Sequence, residues 1–405
     1  MKICEENQCT GCEACAQVCP VQCITMNASS EGFYYPTIDE SKCIGCKKCI
    51  RTCPNNHEII RNKSTFYMGW HKDLEVLRHS SSGGAFTAIA DYVFDRNGIV
   101  FGAYFDDVSH TISHIAIERK EDLDKVRLSK YFQGRIVDAY SEAKQYLDNG
   151  RLVLFTGTAC QISGLYSYLG CNINTKPESL ITVDVLCHGV ASKKVVDAYI
   201  KSKEKHYKKK VRTFRFRLKP DQSDWMQGGG TRMRIDFSDG TSKVQNKGTD
   251  TFFVGFNNYL FLRKNCYQCR YTGQERIADF TLADFWGVPL DKIPDKQRRY
   301  GVSLILTNTK KAEEILPELS KDFYYEKIDG NLAIPYNQSL REPGTMDPNR
   351  NNFFSNLDHS DFDSLVHKYC GNYIIRRRIK DFLYMILGEN KVNNMIKCVR
   401  SILGK

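Results

Sequence analysis

Eight cysteines stand in two short runs near the start of the chain, at a spacing that suits metal chemistry. The runs are "CTGCEACAQVCP", from Cys9 to Pro20, and "CIGCKKCIRTCP", from Cys43 to Pro54. The sequence has neither the pattern of a secretory leader nor an apolar run long enough to cross a bilayer, so we expect a cytoplasmic protein without a membrane span. In a reducing cytosol, closely spaced cysteines are metal ligands or catalytic thiols far more often than disulfides.

Each run has the pattern C-x2-C-x2-C-x3-C-P, which is the spacing of two-cluster bacterial ferredoxins. In that arrangement the fourth cysteine of one run binds the cluster held by the other run. The pattern predicts one 4Fe-4S cluster on Cys9, Cys12, Cys15 and Cys53, and a second on Cys43, Cys46, Cys49 and Cys19. Two zinc sites are the alternative, but triplets with a reciprocal fourth cysteine fit the four ligands of zinc poorly. Cys23 fits neither spacing and is predicted to be a buried core thiol, and Cys4 is left without a role.

A ferredoxin-type domain needs only about sixty residues, and we place it at residues 1–62. The rest of the chain can bury a core, because 41% of all residues are hydrophobic and the chain has 22 Tyr and 22 Phe. Strand patterns such as "RLVLFTG" alternate with helix patterns such as "SKKVVDAYIKSKEKH", which indicates α/β layers. From "VRTFRFRLK" to "TRMRIDFSDGTSKVQ" the pattern is β-rich, with a hairpin at 238–240. The predicted fold class is therefore α+β / α/β, a ferredoxin-like dicluster domain followed by a mixed α/β body.

A Ser/Gly loop precedes one of the predicted helices, whose apolar positions are Phe86, Ile89, Ala90 and Val93. The loop sequence "SSSGG" offers hydroxyls and backbone N–H groups at a positive helix end, which suits a phosphate or pyrophosphate. An ordinary turn is the alternative. The chain has neither a Walker loop nor a G-x-G-x-x-G fingerprint.

Four more cysteines lie at positions that suit either a metal ligand or a buried thiol. Cys160 and Cys187 follow two predicted strands, and Cys266 and Cys269 form a C-x2-C pair. One fold could bring all four together around a third cluster; alternatively, the first two are core thiols and the pair binds zinc.

His188 directly follows Cys187 and is the candidate catalytic residue. An imidazole can deliver the proton that accompanies reduction of an organic acceptor. The alternative is a residue that hydrogen-bonds a cluster sulfur or packs the loop.

Six segments follow one another in the body: "SSSGGAF", "KYFQG", "FTGTACQISGL", "VDVLCHGVAS", "LRKNCYQCRYTGQERIADFTLADFWG" and "GVSLILTNT". In this order they resemble the beta-subunit family of coenzyme F420 hydrogenases and dehydrogenases, and the resemblance spans residues 66–343. It implies an FAD-binding body with an N-terminal-like region at 63–150 and a C-terminal-like FAD and iron-sulfur domain at 151–345. It also implies the third cluster, and the following residues around FAD: Ser81, Ser82, Gly83 and Gly84 at the phosphates, Lys130 and Gln133 near the flavin, and Thr156, Gly157 and Thr158 under it.

The charge of the chain is consistent with redox partners. The formal net charge is +11 with neutral thiols, and three oxidised 4Fe-4S(Cys)4 units would each contribute about −2, which lowers the total to about +5. The remaining positive surface could steer an acidic ferredoxin-like carrier, a partner redox subunit or an anionic substrate. No nucleic-acid recognition motif is present. A basic helical extension is predicted at 346–405, where "IIRRRIKDFLYMILG" packs on the body or on a partner, and a homo-oligomer is possible.

Three functions fit these patterns. The first is an oxidoreductase that couples one-electron 4Fe-4S carriers, through FAD, to a two-electron organic substrate or to the deazaflavin coenzyme F420. The second is an electron-transfer subunit without its own substrate site, which serves a separate catalytic chain. The third is a non-enzymatic cluster-bearing interaction protein, which the retained "SSSGG", "LCHG" and "DFWG" segments argue against.

Overall fold

The computed structural model describes residues 1–219 and 232–387. The helices within these ranges are α1 (Ala14–Gln17), α2 (Lys48–Thr52), α3 (Leu74–Arg78), α4 (Ala85–Phe94), α5 (Ala139–Asp148), α6 (Ala159–Leu169), α7 (Lys193–Tyr207), α8 (Thr251–Asn257), α9 (Asp295–Tyr300), α10 (Lys310–Glu318), α11 (Arg350–Asn356) and α12 (Phe362–Leu387). In the same part of the chain, no helix combines the length and the apolar character needed to span a bilayer.

Thirteen strands are present in the described residues. They are β1 (Ile24–Ala28), β2 (Tyr34–Ile38), β3 (Thr65–His71), β4 (Ile99–Asp106), β5 (Thr111–Ile117), β6 (Val153–Thr158), β7 (Leu180–Val185), β8 (Val211–Leu218), β9 (Arg232–Phe237), β10 (Ser242–Asn246), β11 (Phe280–Asp284), β12 (Ser303–Thr307) and β13 (Phe323–Lys327).

The two cysteine runs fold in the same way, as their repeated spacing predicts. The glycine before the second cysteine of each run has a φ of +69°, at Gly11 and at Gly45. The residue before the short helix that carries the third cysteine of each run also has a left-handed backbone conformation, with φ values of +64° at Glu13 and +58° at Lys47. Short helices α1 and α2 then begin, and the antiparallel pair β1 and β2 connects the two halves. The local backbone is therefore pseudo-symmetric.

The body is built on one eight-stranded mixed sheet. Its strand order is β13-β3-β12-β11-β7-β6-β4-β5. The four central strands β11, β7, β6 and β4 are parallel, and the outer pairs are antiparallel. This sheet confirms the predicted mixed α/β body, and its strands come from both of the regions proposed at 63–150 and 151–345.

Alternate residues of the central strands pack on opposite faces of the sheet. Leu154 of β6 contacts the layer that contains α4 and α10. Its neighbours Val153 and Phe155 contact the layer that contains α5 and α6. This alternation is the period of two expected for a strand buried on both sides, so the helix and strand patterns of residues 85–207 are confirmed.

The β-rich stretch forms a separate three-stranded sheet in the order β10-β9-β8, and the hairpin between β9 and β10 turns at the predicted residues. Residues 220–231 of this stretch lie outside the described residues. The first half of α12 packs on α7 and α8, and it contributes Leu365, Val366, Cys370 and Ile374 to the same hydrophobic cluster as this sheet. Further along α12, large apolar side chains such as Ile379 are exposed. Residues 388–405 of the predicted extension also lie outside the described part.

Candidate functional site: two cysteine-lined cavities and a third thiol set

Two cavities in the N-terminal domain are lined by the two predicted sets of cysteines. The proximal cavity is lined by Cys9, Cys12, Cys15 and Cys53 together with Cys4. The distal cavity is lined by Cys19, Cys43, Cys46 and Cys49 together with Cys23. Each cavity thus contains three cysteines of one run and the fourth cysteine of the other.

The chemistry of these cavities fits a metal cluster. Burial raises the pKa of the Cys12 thiol to about 11 and the pKa of the Cys15 thiol well above its ordinary value. A set of buried thiolates is therefore costly without a positive group to compensate it, and iron would supply that charge. Among the described residues, no three His, Cys, Asp or Glu side chains surround a point that suits one metal ion. The iron atoms of a cube lie at separate corners, so thiolates that bind it stand farther apart than the ligands of one ion.

Cys4 is a residue whose place the spacing did not indicate. It lines the proximal cavity, where a hydrogen bond with Cys53 raises the pKa of its thiol to about 11. Cys23 is buried, as predicted, but it lines the distal cavity and its Sγ lies 3.5 Å from Cys19 Sγ.

The distal cavity opens at the protein surface. Ile44 and Val21 line it and are 64% and 38% exposed. Lys47 and Lys48 also line it and are exposed. The rim of this cavity is therefore apolar and basic.

The proximal cavity, by contrast, lies against the body. Gly164 in α6 allows this contact, because a Cβ at this glycine would lie 2.9 Å from Cys12 Cβ and 3.1 Å from Cys12 Sγ. The neighbouring residue Glu13 is buried and forms an ion pair with Arg135 of the body, and its Oε2 also accepts a hydrogen bond from Val137 N at 3.2 Å. These contacts fix Cys12 on the surface of α6.

The four later cysteines come together in the body. Burial raises the pKa of the Cys187 thiol well above its ordinary value, and Cys266, Cys160 and Cys269 raise it further. Each of these thiols is therefore close enough to act electrostatically on Cys187. Burial likewise raises the pKa of Cys266 to about 12.

The sheet explains half of this convergence. In the parallel pair of β6 and β7, Thr158 is opposite Val185. Cys160 lies two residues after Thr158, and Cys187 lies two residues after Val185. The two cysteines therefore lie at the same edge of the sheet. The other two cysteines come from a separate turn. This turn, Lys264–Gln268, carries Cys266 and is followed directly by Cys269. Burial raises the pKa of Cys160, and Cys12 of the proximal cavity raises it further. Cys12 also packs against Gly164 of α6, the helix that carries Cys160, so the third set lies next to that cavity.

The Ser/Gly loop lies between α3 and the N-terminus of α4. Ser81 Oγ accepts a hydrogen bond from Ser129 N at 2.8 Å, and Ser82 Oγ donates one to Val302 O at 2.8 Å. A Cβ at Gly83 would lie 2.4 Å from Gly69 O, and Gly84 has a φ of +85°. Packing against the sheet and a left-handed turn therefore already require both glycines.

The other residues implied for the flavin are distributed over the body. Lys130 Nζ donates to Arg127 O at 2.7 Å, and burial lowers the pKa of this lysine to about 7. Gln133 Oε1 accepts hydrogen bonds from Tyr34 N at 3.1 Å and from Arg263 Nη1 at 3.2 Å, so Gln133 lies at the junction with the N-terminal domain.

The segment Thr156–Thr158 forms the end of β6 and the cap of α6. Thr156 Oγ1 donates to Phe101 O at 2.8 Å. Thr158 and Gln161 form a capping box that begins α6, and Thr158 Oγ1 lies 3.1 Å from Cys160 Sγ. A Cβ at Gly157 would lie 3.1 Å from Gln161 Oε1.

His188 is held on both ring nitrogens. Its Nε2 lies 3.2 Å from Phe256 O, and its Nδ1 lies 3.4 Å from Tyr259 Oη. The imidazole stacks on the Tyr259 ring with 4.3 Å between ring centroids. Burial lowers the pKa of His188 to about 4.

Comparisons with known proteins give matches in two parts of the chain. Residues 8–57 and 35–83 each match a 4Fe-4S dicluster domain, and residues 150–330 match the family described as the C terminus of the coenzyme F420 hydrogenase/dehydrogenase beta subunit. Among solved structures, a chain of the F420-reducing [NiFe] hydrogenase complex from Methanosarcina barkeri aligns with a TM-score of 0.45 and 16% identity, over 81% of this chain and 94% of that one. No curated protein matches the chain.

The N-terminal part of the chain is thus similar to 4Fe-4S dicluster domains. Residues 150–330 are similar to the C terminus of the coenzyme F420 hydrogenase/dehydrogenase beta subunit, and this match confirms the resemblance inferred from the sequence motifs.

Proposed function

We propose that the protein is an iron-sulfur flavoprotein oxidoreductase that couples one-electron carriers, through FAD, to a two-electron organic substrate or a deazaflavin. The observation that carries this proposal is the order of the three thiol sets. The distal cavity faces the surface, the proximal cavity faces α6, and the third set, which includes Cys160 of α6, lies beyond it in the body. When bound, 4Fe-4S clusters would exchange single electrons, and FAD would exchange two electrons with an organic molecule.

The residues of this chain have defined tasks in such a protein. In the N-terminal domain, the eight cysteines of the two runs would hold two clusters. In the body, Cys160, Cys187, Cys266 and Cys269 would hold the third. The basic rim of the distal cavity, with Lys47 and Lys48, suits an acidic ferredoxin-like carrier, because opposite charges accelerate encounter.

The Ser/Gly loop is the proposed site of the FAD phosphates. It leads into α4, a ten-residue helix, so the positive end of this helix is available to an anion. A Gly84→Val variant is a poor test of this role, because the φ of +85° and the 3.0 Å approach to His71 Cβ would strain any side chain there. Charge-removing variants near the loop test it better.

For His188, the proton-donor role is a proposal that its contacts do not favour. A neutral imidazole that donates from Nε2 to Phe256 O has no second N–H to deliver. The His188→Ala variant should slow substrate turnover about 100-fold, with iron and FAD retained, if the imidazole is the donor. If turnover instead follows cluster occupancy, His188 is a positioning residue for the loop that carries Cys187.

The test of the proposed function is anaerobic reconstitution followed by a flavin assay. We expect the purified chain to hold both iron and FAD, and its reduced flavin to be reoxidised by a deazaflavin or another organic acceptor without a second subunit. A chain that holds both cofactors but reacts with no organic acceptor is instead an electron-transfer subunit for a separate catalytic chain. A chain without bound flavin contradicts the proposal.

A further inference from the structure

Three cationic side chains lie together beside the Ser/Gly loop, with too few anions to balance them. Arg217 is at the end of β8, Lys219 follows that strand, and Lys247 follows β10. We call Arg217, Lys219 and Lys247 the cation cluster. Asp284 is the one carboxylate with which they form an ion pair within the described residues, so three basic side chains face one carboxylate.

Arg217 is the member that has a carboxylate partner. Its Nη1 and Nη2 donate to the two carboxylate oxygens of Asp284 at 2.9 and 3.0 Å. Nη1 also donates to Tyr131 Oη at 3.0 Å, and Nη2 to Ser81 O at 2.7 Å. Asp284 ends β11 in the "DFWG" segment, so this segment anchors the cluster at the carboxyl edge of the parallel strands.

Within residues 1–219 and 232–387, the hydrogen-bond partners of the two lysines are neutral groups. Lys219 Nζ donates to Leu77 O at 2.9 Å and to Ser82 O at 2.6 Å. Lys247 Nζ lies 3.3 Å from Tyr131 Oη and 4.3 Å from the centroid of the Phe253 ring. Backbone carbonyls and aromatic faces stabilise an ammonium ion less than a carboxylate or phosphate does.

The local field shows the same excess of positive charge. Burial lowers the pKa of Lys219 well below its ordinary value, and Arg217 lowers it further. Burial also lowers the pKa of Lys247. For Tyr131, burial acts to raise the pKa, but Arg217 and Lys247 outweigh it and the pKa is lowered. An anion bound here would reverse these penalties.

The position of the cluster suits one end of an elongated ligand. Arg217 and Lys219 donate hydrogen bonds to the carbonyls of Ser81 and Ser82. Lys247 Nζ lies 4.6 Å from the centroid of the Tyr131 ring, this ring lies 5.3 Å from the Phe256 ring, and the Phe256 ring lies 5.0 Å from the ring of His188. The cluster therefore lies between the Ser/Gly loop and the loop that carries Cys187. A ligand with its anionic group at the cluster would extend its other end toward the third thiol set.

We propose that the cation cluster is a subsite for a phosphate group of the organic ligand, and that Arg217, Lys219 and Lys247 bind this group. The inference rests on the proposed function, since it assigns the chemical class of ligand that this part of the body accepts. The phosphate could belong to the flavin itself or to a phosphorylated substrate, and the two sources can be separated by experiment.

The experiment uses the full chain, purified anaerobically, with inorganic pyrophosphate as the probe in isothermal titration calorimetry. Lys247→Met should weaken pyrophosphate binding about tenfold or more, because it removes a cationic group from a half-buried site. Lys247→Arg keeps the cationic group and should bind pyrophosphate with nearly the affinity of the natural protein. Lys311→Met is the matched control, since burial also lowers the pKa of Lys311 to about 8 but this lysine lies on α10, outside the cluster.

The source of the phosphate follows from repeating the titration with and without bound flavin. Binding only to the flavin-free protein assigns the subsite to the flavin phosphates, and binding with flavin in place assigns it to a phosphorylated substrate. The inference is overturned if neither form binds pyrophosphate, or if Lys247→Met binds it as tightly as the natural protein. Cluster-dependent binding by a chain that takes up no FAD would support the subsite and contradict the flavoprotein function.

Discussion

Arg263 carries a buried positive charge where the N-terminal domain meets the body. It is 1% exposed, and no carboxylate of residues 1–219 and 232–387 forms an ion pair with it. Its Nε donates to Cys9 O at 2.9 Å, and its Nη2 donates to Tyr34 O at 3.1 Å. The guanidinium also lies 4.1 Å from the centroid of the Tyr35 ring. A buried, unpaired charge is costly unless something nearby compensates it, and the proximal cavity lined by Cys9 is the proposed site of an anionic cluster.

From this arrangement we predict that Arg263 raises the reduction potential of the cluster in the proximal cavity. An oxidised 4Fe-4S cluster with four thiolates carries about −2 and gains one more negative charge on reduction. A unit charge on the order of 10 Å away, at an effective dielectric constant of about 20, contributes about 1.7 kcal/mol. For a one-electron couple this corresponds to about 70 mV. Arg263→Met should therefore lower one midpoint potential by roughly 50 to 100 mV.

The assay is a redox titration of the anaerobic protein followed by electron paramagnetic resonance. Arg263→Lys is the control, because it keeps the charge but cannot make all the hydrogen bonds of the guanidinium. It should leave the potentials within about 20 mV of the natural protein, even if the domain contact is weaker. Iron content must be equal in the three proteins. If Arg263→Met and Arg263→Lys shift the midpoint potential equally, or if neither variant shifts it, the charge of Arg263 does not act on the cluster. The role of Arg263 is then confined to packing.

Three further predictions follow from other contacts. The anaerobic chain should contain about twelve iron atoms, and Cys266→Ser should remove up to four of them and leave the N-terminal pair, whereas a content near eight with bound zinc contradicts the third cluster. Gly164→Ala should lower the thermal midpoint, because its Cβ would lie 2.6 Å from Tyr140 Oη in the body and 2.9 Å from Cys12 Cβ in the N-terminal domain. Gly371→Ala in α12 meets no atom within 4 Å and should raise the midpoint by helix propensity. Equal shifts would mean that α6 is not tightly packed at Gly164. Burial lowers the pKa of Lys130 from 10.5 to about 7, so the folded state releases this proton before the unfolded state does. The free energy of unfolding should therefore rise with pH between about 7 and 10.5. In urea unfolding measured across this range, the midpoint of Lys130→Met should rise less with pH than that of the natural protein.

The parallel half of the body sheet was predictable, but most of its antiparallel half was not. Strands β4, β6 and β7 are short apolar runs bounded by helices, so their pattern is local and strong. Strand β3 instead lies between β12 and β13, more than 200 residues later in the chain. Pairing over such a distance is determined by tertiary packing, which a local pattern does not record.

In the candidate site, too, the residues with a local spacing pattern were predictable, and those joined only by tertiary contacts were not. The ligand spacing of the two cysteine runs is local, so the sequence already indicated which four thiols line each cavity. The contacts of Arg263 and Gln133 with the N-terminal domain join residues about 100 to 254 positions apart. No spacing rule connects such residues. The sequence indicated Gln133 only through the "KYFQG" segment, as a residue near the flavin, and gave no role to Arg263. The cation cluster was missed for the same reason, because its members come from different strands and loops.

The junction between the domains favours one docking geometry. Besides Arg263, it contains the buried pair of Glu13 with Arg135, and the pair of Arg350 with Glu31, whose Nη2 to Oε2 distance is 2.6 Å. Buried ion pairs add little net stability compared with apolar contacts, but an unpaired partner is costly, so docking in another orientation would be penalised several times over. Transfer of electrons between cofactors requires a fixed separation. The polar junction is therefore suited to hold the proximal cavity in one position against α6, where Gly164 removes the side chain that would keep Cys12 away.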